Sequence, residues 1–235
     1  DDSFLGLLSF GPNGWGDQLA AGLKITVLLA LATAPIGLVG GFLLALARRS
    51  ERAAISFAAT TFTTIFKGLP ELITLFMVYY GFSLALAWFL NLFTNAYVEI
   101  SPFLAGMVAL GAVSASFASE VFMAALGGIA RGQHEAAAAL GLGRWATLRK
   151  VIIPQLVRLA LPGLGNLWLV LLKDTALVSV IALPDLLRQT SIAVGATKEP
   201  FFFYLVALGI YFVMSLVSMG ILARLERRYG KAYVR

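Results

Sequence analysis

The chain alternates between long apolar stretches and short polar segments. Apolar residues dominate 19–47, 72–92, 102–130, 154–183 and 201–222, and charged or glycine- and proline-containing sequence bounds each stretch. Stretches of this length suit α-helices that cross a bilayer and exceed the strands of a membrane barrel. The pattern therefore predicts an all-α membrane protein with five transmembrane helices.

A further apolar segment, 53–66, is too short to cross the membrane. Arg52 precedes it and Lys67 follows it, and positive charge at both ends argues against a crossing. We predict an amphipathic helix that lies along the inner face or packs on the bundle. Its predicted apolar face consists of Ile55, Ala58, Ala59, Phe62, Ile65 and Phe66.

Two tripeptides interrupt the helical pattern. Gly-Leu-Pro at 68–70 precedes the second span, and Leu-Pro-Gly at 161–163 falls inside the fourth. Broken helices within a membrane are tolerated where they line a cavity or move, although a static proline kink is the alternative. The candidate gate or hinge residues are Gly68, Pro70, Pro162 and Gly163.

Charge orients these spans. Only 13% of the residues are charged, whereas soluble domains have about a quarter charged residues. Hydrophobic residues make up 60%, whereas soluble domains have about a half. Most of the 18 Lys and Arg fall in segments that the five predicted spans place on the same side of the membrane. The exceptions are Lys24, Lys173, Arg188 and Lys198. The positive-inside rule makes that side the cytoplasmic one, so the N-terminus is predicted outside and the C-terminus inside. The net charge of +6 thus reflects membrane orientation and not nucleic-acid binding.

One membrane domain accounts for nearly the whole chain. We assign 1–18 to an outer segment, 19–229 to the membrane domain and 230–235 to a cytoplasmic tail. The loop between the second and third spans carries Glu99 and lies outside. A short surface helix is predicted at 185–193, also on the outer side.

Enzyme and metal signatures are absent from the sequence. It has no cysteine and a single histidine, His134, so a Cys/His metal or redox site is not expected. It has no GxxxxGK[ST] motif for nucleotide phosphates and no Ser/His/Asp set for nucleophilic catalysis. We expect no catalytic residue, no metal and no cofactor in this chain.

Three ionisable groups fall inside predicted spans: Glu120, Lys173 and Asp174. Such groups are costly in a bilayer and usually face a cavity, a partner or a pathway. Lys173 and Asp174 are neighbours on a helix and do not face each other, so a direct pair between them is not expected. Either they are structural, or Glu120 or Asp174 forms an anionic wall for a cationic solute.

The polar stretch 132–154 interrupts the apolar pattern between the third and fourth spans. It predicts a short helix at 133–140, a turn at Gly141 and Gly143, and a basic approach to the fourth span. A helix with a small-residue face on the cytoplasmic side is a docking element.

Within it, Glu135-Ala136-Ala137, Gly141 and the Val-Ile-Ile-Pro at 151–154 resemble the EAA loop of ABC importer permeases. In that family the loop forms a coupling helix that sits in a groove of the ATPase subunit. The resemblance implies these coupling residues: Gln133, His134, Glu135, Ala136, Ala137, Ala138, Leu140, Gly141 and Arg144.

Other motifs resemble the polar amino acid branch of this family. They are Lys-Gly-Leu-Pro at 67–70, Leu-Pro-Gly at 161–163 with Asn166, and Leu-Lys-Asp-Thr-Ala-Leu-Val-Ser at 172–179. Thr-Lys-Glu-Pro-Phe-Phe at 197–202 is similar to the histidine, basic amino acid and opine permeases, as is the later Leu-Glu-Arg-Arg-Tyr. The implied substrate pathway comprises Glu120, Asn166, Lys173, Asp174 and Thr175.

The resemblance implies a type I ABC importer permease fold in the bacterial inner membrane, with a periplasmic N-terminus. It implies a second permease, as a homodimer or heterodimer, two ATPase subunits that bind ATP and Mg²⁺, and a periplasmic binding protein. The expected solute is arginine, histidine, lysine, ornithine or an opine. The alternatives are a permease for glutamine, glutamate, cystine or methionine, and a proton-coupled secondary transporter.

One position departs from the branch, which commonly has an arginine three residues after the acid of the third span and then a glycine. Here Met123 and Ala124 occupy those positions. Either desolvation favours the protonated form of Glu120, or a cation offsets its charge. This position favours a cationic solute or a partner chain that supplies the charge.

Overall fold

The computed structural model describes residues 6–92 and 101–230, and within these ranges the regular structure is entirely helical. The prediction for Glu99 and most of the prediction for the tail at 230–235 fall outside the described residues. The α-helices are α1 Gly16–Arg48, α2 Ala53–Gly68, α3 Glu71–Phe76, α4 Phe82–Asn91, α5 Pro102–Gly127, α6 Arg131–Ala139, α7 Arg144–Thr147, α8 Ile153–Asp174, α9 Leu186–Thr197 and α10 Pro200–Gly230.

Five helical stretches of the described chain are long and apolar enough to span a membrane, which confirms the predicted number. They are Gly16–Arg48, Glu71–Phe89, Pro102–Gly127, Arg144–Ile181 and Pro200–Tyr229. A π-helical turn, Met77–Gly81, joins α3 to α4, and another, Leu148–Ile152, joins α7 to α8. The fourth stretch ends in a 3-10 helix, Thr175–Ile181.

The centre of the bundle is the pair of α1 and α5, which approach closely through small residues. A Cβ on Gly41 would lie 2.5 Å from the Cβ of Ala118, and one on Gly37 would lie 2.5 Å from the Oγ of Ser114. Small residues let helix backbones approach in a membrane, where lipid supplies no hydrophobic drive for association. Helices α2 and α8 pack on both members of this pair, α3 packs on α5, and α10 packs on α8 and α9.

The break at 68–70 is confirmed, because α2 ends at Gly68 and α3 begins at Glu71. Helix α2 packs on α1 and α5. Of the two predicted placements, along the inner face or on the bundle, the structure therefore shows packing on the bundle. Its buried residues are Ala59 and Thr63, while Ile55 and Ile65 remain exposed. The predicted apolar face is therefore confirmed only in part, since Ala59 is buried and Phe62 and Phe66 are half-buried. Lipid is as apolar as a protein core, so the aliphatic side chains need not turn inward.

The predicted break at 161–163 is wrong. Helix α8 runs without interruption through Pro162, since a proline removes only one backbone hydrogen bond and the rest of the helix keeps its own. Gly163 serves close packing, because a Cβ there would lie 2.7 Å from Cγ1 of Val121 on α5. The helical stretch also begins at Arg144 and not near Pro154.

The predicted surface helix is α9, which is longer than expected and ends at Thr197. Asp185 caps its N-terminus by accepting a hydrogen bond from the backbone N–H of Arg188 at 2.9 Å. The backbone N–H of Leu186 donates to Oγ1 of Thr26 on α1 at 3.1 Å. These two contacts fix the start of α9 against the bundle.

Candidate functional site

The predicted coupling helix is present as α6, and a glycine ends it. Gly141 has φ +72°, a left-handed conformation that glycine adopts without steric penalty. The N–H of Leu142 donates to the carbonyl of Ala137 at 3.0 Å, and the N–H of Gly141 donates to that of Ala138 at 2.9 Å. This pair of bonds is a Schellman cap, which sets where the chain turns towards the fourth span.

Most of the predicted coupling residues lie on an open surface. Ala137 is the buried member of α6 and anchors it. Gln133 is half-buried, and its Oε1 accepts a hydrogen bond from Nε2 of Gln155 at 3.1 Å. The exposed members are His134, Glu135, Ala136, Ala138, Leu140, Gly141 and Arg144. The element is thus held on one side and free for a partner on the other.

Sequence reasoning missed one residue of this surface. Trp145, at the start of α7, is 73% exposed, and Leu140 is 81% exposed. Two large apolar side chains beside a polar helix form the kind of anchor that protein interfaces use. The signal was available in the sequence, since an aromatic residue stands between Arg144 and the basic pair Arg149 and Lys150.

Glu120 is neutralised within its own chain, which corrects the expectation about its charge. Nη1 of Arg48 lies 3.0 Å from its Oε1, and Nζ of Lys67 donates a hydrogen bond to the same oxygen. Arg48 is the last residue of α1, and Lys67 lies in the last turn of α2. We call Arg48, Lys67 and Glu120 the ion cluster. Neither a cationic solute nor a partner chain is needed to balance Glu120.

A second acidic site lies elsewhere, between α3 and α8. Glu71 and Asp174 line the same small pocket. Apart from Ser114, the other pocket walls are apolar and include Leu110, Val113 and Phe117 of α5. We call Glu71 and Asp174 the carboxyl pair. Sequence reasoning missed Glu71 as a member of a site.

The remaining predicted pathway residues do not gather at the carboxyl pair. Asn166 and Lys173 are exposed, and their spacing of seven residues places both on one face of α8. Thr175 is buried, and its hydroxyl donates to the carbonyl of Leu172 at 2.7 Å. Polar side chains exposed on a membrane-spanning helix indicate a face that meets a partner or a water-filled space.

The comparison with known families decides what these surfaces belong to. The model described as "Binding-protein-dependent transport system inner membrane component" matches residues 10–231. The chain belongs to this family. This confirms the resemblance drawn from the EAA loop and the multi-pass location in the inner membrane. It also decides against a proton-coupled secondary transporter.

Curated relatives within this permease family resemble the chain over most of their length. The nopaline transport system permease protein NocQ of Agrobacterium fabrum is 40% identical over 216 residues, 91% of this chain and 92% of the relative. The arginine ABC transporter permease protein ArtQ of Escherichia coli K12 is 39% identical, with 89% and 94% covered. The histidine/lysine/arginine/ornithine permease HisQ of the same strain is 34% identical, with 92% and 95% covered.

Solved structures agree on the permease fold. A crystal structure of an amino acid ABC transporter with histidines aligns at a TM-score of 0.81 and 32% identity, covering 97% of this chain and 99% of that one. The MetNI methionine transporter in an inward-facing conformation aligns at a TM-score of 0.69 and 18% identity, covering 91% and 97%, which shows the fold alone.

Proposed function

We propose that this permease belongs to an ABC importer that takes up a basic amino acid or an opine. Its relatives named for arginine, for histidine, lysine, arginine and ornithine, and for nopaline support this substrate class. The observation that carries the proposal is the carboxyl pair, because it places two acids in a mostly apolar pocket of the membrane domain.

Two carboxylates that share a pocket repel each other, and a cation beside them relieves that repulsion. No Lys or Arg lines the pocket that they share. A guanidinium, imidazolium or ammonium group of a solute would supply the missing charge, and its N–H groups match carboxylate oxygens. A neutral or acidic amino acid offers only its α-ammonium group, whereas a basic amino acid or an arginine-derived opine adds a side-chain cation.

The exposed face of α8 suggests where the solute passes. Asn166 and Lys173 need a polar neighbour in the membrane, and a second permease subunit, identical or related, would place a shared pathway along this face. The carboxyl pair lies beside that pathway, because Asp174 follows Lys173 directly. In this arrangement the N-terminus is periplasmic and a periplasmic binding protein delivers the solute.

The ATPase subunits act on the cytoplasmic side of the permease. We assign ATP and Mg²⁺ to two separate ATPase subunits, each in contact with one coupling helix. The small residues of α6 permit close approach, and its Schellman cap joins it to the stretch that continues through α8 to Asp174. Displacement of α6 on ATP binding would therefore move the helix that carries one member of the carboxyl pair.

The test is ATP hydrolysis by the importer reconstituted in lipid, with its ATPase and binding protein, across a panel of amino acids. We expect stimulation by arginine, histidine, lysine, ornithine or an opine. Asp174→Asn should raise the half-saturating concentration of a cationic solute by about tenfold, since it removes one charge-assisted hydrogen bond. Stimulation by glutamine, glutamate, cystine or methionine alone would refute the assignment.

The coupling assignment is tested separately at Glu135, which is exposed on α6. Glu135→Lys should abolish solute-stimulated hydrolysis while the permease still accumulates in the membrane. The matched control is Glu226→Lys, which reverses another exposed acid near the cytoplasmic end of α10. Normal coupling in the Glu135 variant would contradict the assignment.

A further inference from the structure

The ion cluster joins three helices at one carboxylate. Glu120 on α5 accepts from Arg48 and from Lys67, and Nη1 of Arg48 also donates to Oγ of Ser119 at 3.1 Å. The side chains of Arg48 and Lys67 are 16% and 27% exposed, and that of Glu120, which both contact, is 43% exposed. Partial burial reduces solvent screening, so this contact is stronger than an ion pair in open solvent.

The ion cluster lies at the base of the helix that carries Glu71. Lys67 precedes Glu71 by four residues, which a fully extended chain spans in at most about 14 Å. Between them, Leu69 and Pro70 adopt extended conformations, with ψ 142° and ψ 132°. Pro70 has no N–H, so the helical hydrogen-bond ladder of α2 does not continue into α3. The direction of α3 therefore depends on what holds the chain on either side of this break.

Both sides of the break rest on the same face of α5. On the N-terminal side of the break, Lys67 contacts Glu120. On its C-terminal side, Glu71 shares a pocket with Phe117 and Val113. Phe117 precedes Glu120 by three residues, about 4.5 Å along the helix axis, and Val113 by seven, about 10.5 Å. The chain from Lys67 to Glu71 thus runs along α5 towards the N-terminus of that helix. The ion cluster fixes the position of Lys67, where this segment begins.

We infer that the ion cluster positions the carboxyl pair, with Lys67 and Glu120 acting as positioning residues for Glu71. This inference rests on the proposed role of the carboxyl pair in solute uptake. It gives Glu120 a role that acts through Glu71, in place of direct contact with the solute. Arg48 links the same carboxylate to the cytoplasmic end of α1, so a shift of α1 or α5 changes where α3 begins.

A cross-linking measurement tests the positioning without any solute. The chain has no cysteine, so Glu71→Cys with Asp174→Cys introduces the only thiol pair. Oxidation of membranes that contain the importer should form a bond between the two positions, measured as protection from a maleimide mass tag. Adding Lys67→Met should lower the bonded fraction about fivefold, as loss of one partly buried ion pair implies. Lys67→Arg should restore it.

The control is Arg49→Met, which removes an exposed cation next to Arg48 and should leave the bonded fraction unchanged. An unchanged bonded fraction with Lys67→Met would overturn the inference. If Arg49→Met lowered the bonded fraction as much as Lys67→Met does, the inference would also be overturned. The effect would then come from losing any positive charge in this region and not from the ion cluster.

A second measurement uses the wild-type carboxyl pair in the reconstituted importer. Lys67→Met and Glu120→Gln should each raise the half-saturating solute concentration, and the double variant should be no worse than either single variant. Additive effects would mean that Glu120 acts independently of Lys67 and would overturn the inference. A fall in maximal hydrolysis with unchanged half-saturation would also overturn it.

These outcomes separate the inference from the proposed function. Wild-type stimulation by a solute outside the basic and opine class would refute the substrate assignment, and the double-variant comparison would then use that solute. The cross-linking result stands in either case, because it reports the position of Glu71 relative to Asp174 and not the identity of the solute.

Discussion

Replacing Asp185 by asparagine should stabilise the permease at neutral pH. Asp185 is fully buried and caps α9. Its burial raises the pKa of its carboxyl group from 3.8 to about 6, although the hydrogen bond from the Arg188 backbone acts in the opposite direction and lowers that pKa. A pKa raised by about two units corresponds to roughly 3 kcal/mol of destabilisation when the group is ionised. Asparagine is as good an N-cap and has no charge to bury.

The sign of the pH dependence follows from proton binding. Between pH 3.8 and about 6 the folded protein holds the proton more tightly than the unfolded chain, so wild-type stability falls as pH rises through this range. The penalty is absent below it and complete above about pH 7. Oδ2 of Asp185 is buried without a hydrogen-bond partner among the described residues, so burial of the amide nitrogen that replaces it offsets part of the gain. We expect a net gain of about 1–3 kcal/mol at neutral pH.

The measurement is thermal unfolding of the purified importer followed by tryptophan fluorescence across this pH range. Asp185→Asn should raise Tm by roughly 2–4 °C per kcal/mol above about pH 7, and the difference should vanish towards pH 4. Glu199→Gln is the control, because Glu199 is exposed just after α9. A variant that is less stable than wild type at neutral pH, or a difference that does not change with pH, would refute the reasoning.

Three further outcomes are expected. Gly41→Val should greatly reduce the amount of permease in membranes, measured by immunoblotting, because a Cβ would lie 2.5 Å from Ala118 and separate α1 from α5; normal accumulation would contradict this. Gly141→Val should decouple ATP hydrolysis from transport, since its φ of +72° is strained by about 1–2 kcal/mol with a Cβ present. Leu140→Ala with Trp145→Ala should reduce co-purification of the ATPase, whereas Trp145→Phe should retain it.

Much of this molecule could be predicted from the sequence. The five spans, the helix at α6 with its cap at Gly141, and α9 with its cap at Asp185 all follow from local chemistry. Helix length, capping residues and the length of an apolar run depend on neighbours along the chain, so a single sequence records them. The family also follows, because the EAA motif is contiguous.

The tertiary structure alone decided which groups meet. The ion cluster joins Arg48 to Glu120 across a separation of 72 residues, and the carboxyl pair joins Glu71 to Asp174. Apolarity along a membrane helix does not distinguish the lipid-facing side from the protein-facing side, because both surroundings are apolar. For the same reason the buried face of α2 was predicted only in part. Small residues at the α1–α5 contact set the helix positions, and those positions determine which charges become neighbours.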